Sequence, residues 1–201
     1  MISGPLAGAD LQSVPQKTLF LAIGALVLLL NTSCRIYGVR SGYSSLTSEE
    51  REFVRDYSQM DIRNAETGFI HQITPENLLT AMHNYQYNVI YLWHTRCSSE
   101  SFVPVYVAVR EAEKRGYRLW VLLFFYDPLI IGIDFGVPLY VVKSGIYRTD
   151  RNSRITHRFF TDLGWEQERG NWGPFFIFHH SNFVSRINSI FDLPEVSRSL
   201  Y

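Results

Sequence analysis

The chain has 201 residues, 46% hydrophobic and 19% charged, enough for one modest globular domain and little more. Four Trp, twelve Tyr and fourteen Phe provide the apolar bulk of a packed core, which excludes disorder over most of the length. Nineteen Lys and Arg balance nineteen Asp and Glu, which argues against a general electrostatic nucleic-acid binder, and two cysteines, Cys34 and Cys97, exclude a disulfide-rich scaffold and a four-cysteine zinc site.

The first element is the apolar run from Thr18 to Leu30, preceded by Lys17 and followed by Asn31, Thr32, Ser33 and Cys34. As a helix it rises only about 20 Å, short of a ~30 Å hydrocarbon core. A short apolar run after a positive charge, closed by small residues, reads as a secretory signal over 1–33. The stretch from Leu30 to Cys34 resembles a bacterial lipobox, with Asn31 standing where an aliphatic residue is usual. That resemblance implies a lipidated Cys34 as mature N-terminus, and a domain anchored by lipid on the periplasmic or outer face of the cell envelope. The alternative is an uncleaved anchor over 18–36. Both place the remainder outside the cytoplasm.

Residues 34–66 read as a lipidated tether, rich in Ser and Gly over 35–47, followed by a short helix. The helix is expected over about 48–59, since Thr47 and Glu50 have capping-box spacing and Phe53, Val54 and Tyr57 follow at helical intervals. Residues 67–201 form the main domain. A short strand is expected over 69–73, and Thr74 with Pro75 makes a helix start, N-cap then N1. Residues 88–93 (Asn-Val-Ile-Tyr-Leu-Trp) read as a buried strand. A helix from about Ser98 to Arg115 carries Val105, Ala108, Val109 and Ala112 on one face and stops at Gly116. Residues 117–126 are apolar enough for a central strand covered on both sides. Strand, helix, strand with short links implies a right-handed parallel pairing, hence the α/β class. A further strand at Leu139–Val142, a helix near 152–163, a hairpin of 175–178 with 183–187, and a closing helix in 188–201 complete the expected elements.

Trp93-His94-Thr95-Arg96-Cys97-Ser98-Ser99-Glu100 follows the strand directly. Here the chain resembles the thioredoxin superfamily, in particular its exported, membrane-tethered members. Trp93 and Cys97 have the spacing of the family's strand-end Trp and first cysteine. Trp172-Gly173-Pro174, just before the late hairpin, matches the family's cis-proline loop. The resemblance covers about residues 67–201 and implies a thioredoxin-like fold, a central mixed sheet flanked by helices. Cys97 then supplies the thiol, Pro174 is a cis-proline, and Trp93 and Gly173 line a substrate groove. Two departures stand out: Glu100 occupies the resolving-cysteine position, and Pro104 comes one residue sooner than the family's kinking proline.

A thiolate at a helix N-terminus is favoured by unsatisfied N–H groups and a partial positive charge. Glu100, at i+3, opposes it: repulsion at ~6 Å is about 0.7 kcal/mol in water and ~2.8 kcal/mol at an effective dielectric of 20. Without a second cysteine, Cys97 can form a mixed disulfide, isomerise a substrate's disulfides or become a sulfenic acid, but cannot complete a dithiol cycle alone. His94 and the pair His179-His180 read as surface or hairpin histidines rather than metal ligands. No metal, cofactor or nucleic acid is expected. Two functions follow from the resemblance: single-thiol exchange on a protein or peptide substrate, or a redox-inactive module that binds a protein or peptide partner.

Overall fold

The computed structural model describes residues 40–95, 102–143, 145–166 and 173–196. Among the described residues, seven strands form one mixed sheet in the order β1-β2-β5-β4-β3-β6-β7. They are β1 (Val54–Asp56), β2 (Ile70–Ile73), β3 (Tyr87–Trp93), β4 (Arg118–Leu123), β5 (Leu139–Val142), β6 (Phe175–His179) and β7 (Asn182–Ile187). The first five run parallel, and β6 is antiparallel to both β3 and β7. The α-helices of the described residues are α1 (Ser48–Arg51), α2 (Pro75–Met82), α3 (Val105–Lys114) and α4 (Asn152–Asp162). The α/β class and the parallel β3-α3-β4 unit are present, and β5 is the extra strand expected at Leu139–Val142; it lies between β2 and β4.

Alternation along the central strands sorts the core. Ile90, Trp120, Leu122 and Phe176 face α2 and α4, where Leu78, Met82, Phe159 and Phe160 meet them; Phe160 stacks on Phe176 with ring centroids 3.7 Å apart. Val89, Tyr91 and Phe175 face α3, meeting Ala108 and Ala112. Both sides are covered, which is why β3 and β4 read as near-continuous apolar runs. Thr74 caps α2 as anticipated: its Oγ1 accepts from Asn77 N, and Asn77 Oδ1 accepts from Thr74 N at 3.0 Å, with Pro75 at N1.

Four expectations are corrected. Residues 40–66 are no tether: Leu46 and Ile62 are buried in the core, 4% and 1% exposed. The helix expected over 48–59 ends at Arg51, because the following residues complete the sheet edge. Ile70 N donates to Phe53 O and Tyr57 N to Gln72 O, pairing backbone groups of β2 that the edge would otherwise leave open. The helix expected from Ser98 begins at Val105. Pro104 has no N–H to give to a preceding turn and biases Val103 away from helical angles, while its own carbonyl accepts the first helical bonds, from Val107 and Ala108. The closing helix is a single 3-10 turn, Ile190–Asp192, within the part of that segment that is described, and Ile190 and Leu193 are buried beneath α3.

Candidate functional site

The C-terminal end of β3 is where parallel α/β sheets offer backbone ends and loops to a ligand, and here it delivers Trp93, His94 and Thr95. Cys97, Glu100 and Trp172, like the signal segment and Cys34, lie outside the described residues. Pro174 is brought to the end of β3, beside Leu92 and one residue from Trp93, because β6 pairs antiparallel with β3 and the pairing runs on past the strand: Leu92 N donates to Pro174 O at 2.8 Å. Gly173 and Pro174 are buried, and Trp93 is half-buried with its ring edge-on to Phe135 at 5.2 Å. Trp93 packs on the α3 side of the sheet.

No cis peptide bond occurs among the described residues, so the Gly173–Pro174 bond is trans, against the expectation for Pro174. The surroundings account for it. Pro174 extends the β6 ladder, and Arg186 on β7 donates through Nε to the Gly173 carbonyl. The Arg186 guanidinium lies 4.4 Å from the Phe176 ring centre and 5.2 Å from that of Trp165. Burial draws Arg186 down to about 10, which still leaves it charged at neutral pH. Extended backbone held on both sides is compatible with the trans form that dominates X–Pro bonds.

A second anchor joins the β3 end to the loop after β4. The Thr95 hydroxyl donates to the Asp127 carboxylate, which also accepts from Leu129 N at 3.1 Å and so caps the turn Pro128–Ile130. Asp127 is fully buried (0% exposed). His94 sits among the rings of Phe125, Phe124 and Phe102, with centroids 5.1, 5.7 and 6.4 Å away. His179 and His180 are at the opposite end of β3, on the hairpin turn with His83, so they do not join His94. Among the described residues no cluster of three His, Cys, Asp or Glu side chains could hold a metal.

Asp127 and Arg186 stand outside the residues that the sequence motifs single out. An Asp directly before a Pro at a strand end is a turn-capping signal that points to Asp127. Arg186 carries no comparable signal, since its role comes from the β6 pairing. No protein-family model, curated protein or solved structure matches the chain.

Proposed function

We propose that residues 40–196 form a thioredoxin-like domain that binds a protein or peptide partner and does not run a dithiol–disulfide cycle. The observation that carries this reading is the start of α3 at Val105, eight positions after Cys97. The N–H groups that activate a family thiol belong to the first turn of the following helix, and here that turn begins only after Pro104, at Val105. The trans Gly173–Pro174 bond and Glu100 in the resolving position weigh the same way. Support for the family relationship itself is the Trp93-to-Pro174 juxtaposition at the end of β3.

The expected result is no reduction of insulin disulfides by the wild-type protein, nor by Glu100→Cys, which restores Cys-x-x-Cys spacing ahead of a helix that starts at Val105. A gain of reductase activity in Glu100→Cys, or mixed disulfides in cells that vanish in Cys97→Ser, overturns the reading in favour of single-thiol exchange through Cys97. The same proposal puts the domain on the outer face of a bacterial membrane, held by lipid on Cys34. Cys34→Ala should abolish metabolic fatty-acid labelling, and persistent labelling would remove the lipid anchor from the proposal.

A further inference from the structure

His71, in β2, is fully buried (0% exposed) on the α2 face of the sheet. Its Nε2 lies 2.7 Å from the Glu66 carbonyl oxygen. A carbonyl only accepts, so Nε2 carries the ring proton and Nδ1 is bare. Nδ1 has no hydrogen-bond partner. The ring is walled by aromatics: Tyr57 edge-on at 4.6 Å, Tyr140 at 6.0 Å and Phe69 at 6.5 Å.

The charged and titratable groups on the elements packed against it give a second proton no acceptor. On β1, Arg55 stands at the same register and reaches over the Phe69 ring, and Asp56 is held by Lys143 Nζ at 2.7 Å. On the segment between β1 and β2, Asp61 is paired with Arg63, and Glu66 meets the ring through its carbonyl. On β5, Tyr140 donates its hydroxyl to Ile62 O at 3.1 Å. Protonated His71 would be a buried cation facing phenyl and phenol rings; burial outweighs the favourable Glu66 carbonyl bond and charge, and Arg55 adds repulsion.

We propose that His71 is an acid-operated latch, whose protonation releases the edge segment 54–68 from β2 and uncovers the backbone edge of that strand. The segment carries an edge strand held on one side only: β1 shares three register pairs with β2, where the other edge strand, β7, shares five with β6. Its other ties are the two backbone bonds flanking β1, the His71–Glu66 bond, the Lys143 contacts to Asp56 and Ser58, the Asn77 bond to Ser58 O, the Thr67–Asp134 bond, and Ile62, buried in the core with its carbonyl accepting from Tyr140. Burial holds the folded imidazole below the ordinary value of 6.5, so the released form binds the extra proton. The closed edge keeps its full stability above about pH 6.5 and loses it as the pH falls through the lower folded value.

Hydrogen exchange of full-length protein tests this residue by residue. Protection of the Ile70 and Tyr57 amides should fall at least about tenfold between pH 7.5 and 5, after correction for intrinsic exchange. The β3 and β4 amides should hold theirs. His71→Phe, which keeps a buried ring but cannot titrate, should abolish the pH dependence. Flat protection in wild type, or an equal fall in His71→Phe, overturns the latch. Should His71→Phe fail to fold, the His71 ring proton resonances of wild type decide. A titration midpoint below 6.5 that tracks the loss of protection supports it, and a midpoint at or above 6.5 overturns it.

Discussion

Gly173→Ala is expected to destabilise the domain by about 3 kcal/mol or more, lowering Tm by about 6–12 °C. A Cβ at this position would lie 1.9 Å from the Ile187 oxygen, 2.3 Å from its carbonyl carbon and 2.6 Å from Asn188 Cα. All three are backbone atoms, so no side-chain rotation relieves the clash, and β7 must move away from β6. Movement there also disturbs the Arg186 contact with the Gly173 carbonyl. Gly136 is the matched control: it has open space around it but φ of +73°, so Gly136→Ala should cost only the left-handed backbone strain of about 1–2 kcal/mol. Thermal unfolding of the two variants side by side checks both numbers. Equal Tm values would show that the β6–β7 approach is looser than described.

Asn88 carries the second large effect. Fully buried at the start of β3, it shares its two Nδ2 hydrogens among the carbonyls of Met82 (3.1 Å), Tyr85 (2.9 Å) and His180 (2.9 Å), and accepts from Trp120 Nε1 at 3.0 Å. One amide therefore ties the end of α2, the turn before β3, the β6–β7 turn and the central strand β4. Asn88→Ala leaves the Trp120 N–H and these carbonyls without their partner, and should cost about 3 kcal/mol. Asn88→Asp should cost more at neutral pH, because a carboxylate would face three carbonyl oxygens. Its deficit relative to Asn88→Ala should narrow as the pH falls, since the folded form of that variant favours the protonated acid. Urea unfolding at pH 7.5 and 5 measures both. An Asn88→Asp variant no less stable than Asn88→Ala at pH 7.5 would mean that the three carbonyls turn away.

Most elements after residue 67 were legible because each carried a local signal with its own physical cause. Thr74 and Pro75 started α2, Gly116 stopped α3, and unbroken apolar runs marked β3 and β4 as strands covered on both faces. Where local signals competed, the reading failed. Phe53, Val54 and Tyr57 fit a helical period, yet the open edge of β2 drew those residues into an extended strand. Ser98 onward fits an amphipathic helix, yet Pro104 sets its start at Val105. Segment 40–66 looked like a tether because Ser and Gly dominate its beginning, while its few apolar anchors, Leu46 and Ile62, are buried only by residues far along the chain.

The candidate site divides in the same way. Trp93 at a strand end and Pro174 before a hairpin could be named from spacing, and the antiparallel pairing of β6 with β3 brings them to one end of the sheet. The Gly173–Pro174 geometry, the Arg186 contact and the Thr95–Asp127 bond depend on which strands become neighbours, and no local pattern encodes that choice. The same holds for His71: as one polar residue in the stretch 69–73 it reads only as part of a strand. The α/β class, the caps and the apolar faces are local properties of the chain, because propensity and periodicity act over a few residues. Only the tertiary structure decided the insertion of β5, the capture of β1 at the edge and the sealing of His71 beneath Tyr57, because those follow from backbone pairing and burial between segments distant in the chain.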